Sequence, residues 1–162
     1  MIGDRQHDGG QGHASTAMRL ARLFGPVALL LLYFSSAAAD SADPGDVVRS
    51  FVDAFDRHDL PAVVELAHPD IEWLSVSGSA IHIETQGIDA LKASISAYFE
   101  SCGTCRAAVD VSSVNGQYVA AVETATWSAS GIMQSQASTS IYEIVEGQVR
   151  RVWYFPPVTR RR

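Results

Sequence analysis

Three dipeptides in the C-terminal half, Asn115-Gly116, Ser130-Gly131 and Glu146-Gly147, divide a stretch rich in Val, Thr, Ile, Trp and Tyr into four segments. Short turns between strand-forming runs specify antiparallel hairpins. The spacing therefore predicts four consecutive strands at about 106–114, 117–129, 132–145 and 148–155. Two of them, at 13 and 14 residues, run to more than twice the usual strand of about five or six residues. Long strands in one sheet coil or bend, because each strand twists in the same sense. A bent sheet needs something on its concave side, and the residues before Gly103 supply it.

Those residues read as helices joined to a short strand pair. Asp43-Pro44 is a helix start: the Asp side chain accepts from the first free amides, and Pro suits the first helical position. Val48, Phe51, Val52 and Phe55 then recur at helical spacing. Asp59 caps a second short helix with Val63, Val64 and Leu66 inward, and His68-Pro69-Asp70 ends it. Strands follow at 71–76 and 80–84, with Gly78 between them. Gly87 precedes a third helix whose buried stripe is Ile88, Leu91, Ile95 and Tyr98 or Phe99. Helices first and a meander afterwards make an α+β domain with its helices on one face of the sheet.

The aromatic first helix, the run LPAVVELAHPDIEW at 60–73, Gly87 before the third helix and the closing VRRVWYFP resemble the SnoaL-like branch of the nuclear transport factor 2-like superfamily. The resemblance spans Asp46 to Pro156. It implies a cone-shaped, cystatin-like α+β roll, in which three N-terminal helices pack on a curved antiparallel sheet around a cavity. Enzymes, binding modules and scaffolds all use this fold, so the fold alone does not choose a function.

The chain has 162 residues. Its N-terminal part is expected to be a leader and not part of the domain. Met18-Arg19-Leu20-Ala21-Arg22 is basic, Leu23 to Phe34 is almost wholly apolar, and Ala37-Ala38-Ala39 provides small residues before a cleavage point. Basic, apolar and small segments in that order form a secretory signal peptide. The apolar run of 12 residues is shorter than the ~20 of a membrane-spanning helix. Residues 1–39 are thus assigned as leader, 40–157 as the domain and 158–162 as a solvated basic tail. The expected location is secreted or periplasmic, with no membrane partner after cleavage. Residues 40–162 carry 16 acidic and 9 basic side chains, a formal net charge of −7. Such a surface does not neutralise phosphates, which argues against a nucleic-acid partner.

Cys102-Gly103-Thr104-Cys105 is the most conspicuous short motif. A disulfide suits an exported protein. A redox role would need a stabilised thiolate, whereas this pair follows the third helix at its negative end. No further ligands complete a zinc site. Phosphate-loop, nucleotide, nucleophile-elbow and metal motifs are also missing from the sequence, and no cofactor is implied.

The resemblance offers one mechanism to test, that of ketosteroid isomerase. Its oxyanion donors and base would fall at Phe51, near Leu74, and at Ser138, Ser140 or Ile141, none of which supplies the required group. Other acid–base chemistry would draw on Glu123 or on the pair His82 and Glu84. His82 and Glu84 are two apart and share one face of a strand, either as a general base with its partner or as solvated surface residues. Glu123 lies in an apolar, Thr-rich strand and acquires a raised pKa if it faces a cavity. A ligand pocket lined by Phe51, Phe55, Trp73, Tyr98 and Trp127 would suit an apolar molecule. By the resemblance Val152 and Tyr154 also face the cavity, while the other face of the last strand could pair two copies as a homodimer. Three functions remain open: binding a small apolar molecule, cofactor-free isomerase, dehydratase or hydrolase chemistry, and a structural or interaction role.

Overall fold

The computed structural model describes residues 42–161. The apolar run at 23–34 and the cleavage point after Ala39 lie outside them.

Helix α1 (Pro44–Asp56) starts as its sequence requires: the Asp43 side chain accepts from the backbone N–H groups of Gly45 and Asp46. Helix α2 (Leu60–Leu66) is capped by Asp59, which accepts from the N–H of Ala62. Strand β1 (Ala67–Ser77) follows directly and turns at Gly78 into β2 (Ala80–Gln86). Helix α3 (Ile88–Ser101) comes next, then the meander β3 (Arg106–Asn115), β4 (Tyr118–Ala129), β5 (Ile132–Val145) and β6 (Gln148–Tyr154). Ser130 and Gly131, like Glu146 and Gly147, all have positive φ. That is the geometry of a two-residue hairpin turn whose twist matches its strands.

The sheet runs β2-β1-β6-β5-β4-β3. It is mixed, which refines the expected all-antiparallel sheet: β1 lies parallel to β6. Those two strands are far apart in sequence, so no hairpin dictates their direction.

Within the stretch assigned as a basic tail, Val158–Arg161 form a short strand, β7, antiparallel to β5. Strand β6 pairs with β5 only over Ser140–Val145. The outer stretch Gln134–Ala137 therefore keeps a free edge, and β7 pairs with it.

The concave face carries the core. Val48, Phe51 and Val52 of α1, Val63 of α2, and Leu91 and Ile95 of α3 pack on Ile71, Val119, Ala121, Tyr142, Val149 and Val152 of the sheet. Phe51 meets Tyr142 edge-on at 6.4 Å. On the opposite face Arg151 joins Glu72 at 2.5 Å and Glu143 at 3.2 Å, and lies 5.4 Å from the Trp153 ring. Cys102 and Cys105 form a disulfide between the end of α3 and the start of β3, with Cα atoms 5.4 Å apart. Among the described residues no helix is long and apolar enough to cross a membrane.

Candidate functional site

A cavity of about 350 Å³ opens between the helices and the sheet. Helix α1 contributes Phe51, Val52 and Phe55, and α3 contributes Ser94, Ile95 and Tyr98. The sheet side holds Trp73, Glu123, Ala125, Ser138 and Tyr154, with Glu84 and Arg106 also lining the cavity as solvent-exposed residues. One side is a run of rings. Trp73 stacks on Tyr154 at 5.4 Å, and Phe55 lies 6.3 Å from Trp73 and 5.4 Å from Tyr98. Ala107 and Ala125 add small side chains to the lining.

The polar centre is built across three neighbouring strands. Along β4, Val119 and Ala121 are buried in the core, and alternation carries Glu123 to the same face. The Tyr142 hydroxyl donates to Glu123 Oε1 at 2.5 Å, and the Tyr154 hydroxyl donates to Oε2 at 2.9 Å. The two tyrosine oxygens are 3.4 Å apart. Tyr142 is fully buried; Glu123 and Tyr154 are reached only in part by solvent.

Burial pushes the Glu123 carboxyl above its ordinary value, against the opposing effect of hydrogen bonds from Tyr142, Ser140 and Tyr154. The Ser140 hydroxyl is fully buried close by, yet meets no partner at ordinary hydrogen-bond geometry. Burial also raises Tyr142 and Tyr154 well above 10.0, and the neighbouring Glu123 charge adds to it. Burial thus keeps both phenols neutral, as donors; their hydrogen bonds support the Glu123 carboxylate while its own burial opposes the charge.

Of the residues singled out in the sequence, Phe51, Phe55, Trp73, Tyr98, Tyr154, Glu84 and Glu123 line the cavity. Val152 lies in the core instead, fully buried, directly opposite Tyr142. Trp127 is near the outer end of β4, half-buried, and outside the lining. His82 is exposed on the edge strand β2 and also stands outside it. A register shift between Trp73 and Leu74 sets Leu74 opposite Ile83 and Trp73 opposite Thr85. Both Glu84 and Thr85 thereby reach the cavity, and Glu84 accepts from Ser75 Oγ at 2.5 Å. Tyr142, Ser94 and Thr85 were not anticipated as polar groups of the site. Among the described residues no three His, Cys, Asp or Glu side chains gather as metal ligands would.

The comparisons agree with this architecture. Residues 48–152 match the SnoaL-like domain, and the chain belongs to that family. A search of the curated proteins finds no match.

Solved structures with the same fold include a cystatin-fold protein from Novosphingobium aromaticivorans (TM-score 0.61, 15% identity, 70% of this chain and 98% of that one). A proposed polyketide cyclase from Xanthomonas campestris pv. campestris is similar too (TM-score 0.52, 16% identity, 70% and 89%). So is TerC co-crystallized with polyporic acid (TM-score 0.57, 15% identity, 72% and 91%). At these identities the likeness defines the fold and nothing finer.

Proposed function

We propose that this protein binds a small, largely apolar molecule in the cavity, with a polar group of the ligand directed at Glu123 and Tyr154. The observation that carries the reading is the combination of a roughly 350 Å³ ring-lined cavity with a hydrogen-bonded carboxylate in its wall. Pockets of this kind, apolar with a few convergent polar groups, are the usual small-molecule sites. A similarly folded protein has been co-crystallized with polyporic acid, and another is a proposed polyketide cyclase; both support a small-molecule role for the cavity. Export fits the same picture, because the leader-like sequence and the disulfide both suit an oxidising compartment. A homodimer through the outer sheet face is part of the proposal, supported by exposed Val122 on β4.

A second reading is cofactor-free proton transfer by Glu123. It is favoured by the upward shift of a carboxyl that lines the cavity, the property expected of an acid or base working near neutrality.

The test is a thermal-shift screen of compounds with one to three rings against the wild-type protein and an Ala125→Trp variant, which fills the cavity from β4. Hits that bind the wild type and not the filled variant support the reading. Hits indifferent to Ala125→Trp place the ligand elsewhere, and a screen with no hits favours a structural role. His82→Ala serves as the control and leaves binding unchanged. For the second reading, a turnover assay on any hit should be abolished by Glu123→Gln while binding persists.

A further inference from the structure

We infer that the Glu123 end of the cavity is a hydrogen-bond acceptor site, which takes a ligand hydroxyl and disfavours a ligand presenting only a carbonyl or ether there. The inference rests on the cavity-binding reading and deepens it.

The argument is a count of protons. A hydroxyl has one hydrogen and two lone pairs, and an ionised carboxylate has lone pairs only. Tyr142 directs its hydrogen to Glu123 Oε1 and Tyr154 directs its own to Oε2. Ser138 Oγ, opposite Glu123 across the β4–β5 ladder, donates to the carbonyl of Phe155 at 2.5 Å. Every hydrogen of these three hydroxyls is already committed to the protein, and lone pairs are what remain. Backbone N–H groups here belong to the β3–β4–β5 ladders.

The other polar groups stand apart: the Ser140 hydroxyl is fully buried and does not line the cavity, and Tyr98 is separated from Tyr154 by Phe55 and Trp73 in the run of rings. Gln136 is two residues farther along β5 from Ser138, on the side away from Tyr142, about 7 Å along the strand. Arg106 is solvent-exposed and donates to the carbonyl of Cys105. Thr85 and Ser94 face each other at 3.5 Å.

A ligand hydroxyl brings the hydrogen this end lacks. A carbonyl or ether would be desolvated against lone pairs and left unpaired. An anion would in addition meet the Glu123 charge, so the arrangement is the opposite of an oxyanion hole. An ammonium group would surrender far more hydration than a hydroxyl on entering a ring-lined cavity. The charged and titratable groups lining the cavity are Glu84 from β2, Arg106 from β3, Glu123 itself from β4, Tyr98 from α3 and Tyr154 from β6, with Tyr142 behind from β5. Helix α1 contributes only Phe51, Val52 and Phe55.

The probes are 2-naphthol, 2-methoxynaphthalene and naphthalene, titrated calorimetrically into the full-length protein at a pH of about 7.5. We expect 2-naphthol to bind roughly tenfold or more tightly than 2-methoxynaphthalene, as for a hydrogen bond to a charged acceptor. In Glu123→Gln, whose amide can also donate, that preference should fall severalfold. Equal or tighter binding of 2-methoxynaphthalene to the wild type overturns the inference and leaves cavity binding standing. If none of the three binds, both fail. A Glu123→Gln protein that folds and keeps the full preference overturns the role of Glu123. Should that variant not fold, the wild-type comparison still decides.

Discussion

Replacing Tyr142 with Phe removes a single oxygen from a fully buried ring. The ring keeps its edge-on contact with Phe51 at 6.4 Å, so packing changes little. What is lost is a 2.5 Å hydrogen bond donated to Glu123, which keeps the Tyr154 hydroxyl at 2.9 Å. A hydrogen bond to a charged group contributes about 1.5–3 kcal/mol; the remaining donor softens the loss, and about 2 kcal/mol is expected. For an ordered domain of this size that is a fall in Tm of roughly 6–10 °C. Urea denaturation at a pH of about 8 measures it. The cost should shrink in acid, where the carboxyl is protonated and the bond becomes one between neutral groups, each typically about 1 kcal/mol. In a double-mutant cycle, Tyr142→Phe and Glu123→Gln should couple by about 1 kcal/mol or more, as expected for residues in direct contact. A loss below about 0.5 kcal/mol at both pH values, the level of an ordinary surface substitution, would refute the claim that the tyrosine holds a buried carboxylate.

Three further outcomes follow from the same structure. Because burial raises Glu123 in the folded state, the folded protein binds more protons than the unfolded chain between the ordinary Glu value and the raised one; stability therefore falls as pH rises through that window and levels off above it, and Glu123→Gln flattens the profile measured by urea melts. Arg151→Met leaves Glu143, whose side chain is 7% exposed, and Glu72 without their cation; a loss of about 2 kcal/mol is expected, below that of a fully buried pair because the arginine is partly solvated, and naphthol binding should not change. Reducing the Cys102–Cys105 bridge, or replacing both by Ser, releases only a four-residue loop and should cost about 2 kcal/mol or less, read as a shift in denaturation midpoint.

The strand boundaries of the meander were legible because Gly-containing turns mark them. Ser130 and Gly131 also set the β4–β5 register, with Ala129 opposite Ile132 and hence Glu123 opposite Ser138. The face of Glu123 was not legible. Strand β4 alternates Val119, Ala121, Glu123 and Ala125 with Ala120, Val122, Thr124 and Thr126, and both sets are compatible with a buried face. Only packing of α1 on Val119 and Ala121 distinguishes them.

The Tyr142–Tyr154–Glu123 grouping depends on a further irregularity. Continuing the β5–β6 hairpin from Val145 and Gln148 without a shift would set Tyr142 opposite Arg151. The register shift between Glu143 and Ile144 instead sets Tyr142 opposite Val152 and Ser140 opposite Tyr154. A one-residue slip of this kind exchanges the two faces of a strand, and local sequence carries no clear mark of it. The shift at Trp73 and Leu74 brings Glu84 and Thr85 together to the cavity in a comparable way. Strand β7 was unreadable for a different reason. A run of arginines looks like a solvated tail, and the free edge of β5 that pairs with Val158–Arg161 exists only in the folded sheet.

The most direct test of the account is a heteronuclear NMR titration of the protein with 2-naphthol. Shifts concentrated at Ile95, Thr124, Ser138 and Tyr154, with Asp110 and Arg151 on the far face unmoved, are the predicted result. Shifts confined to the far face, or none at all, would contradict binding in the cavity.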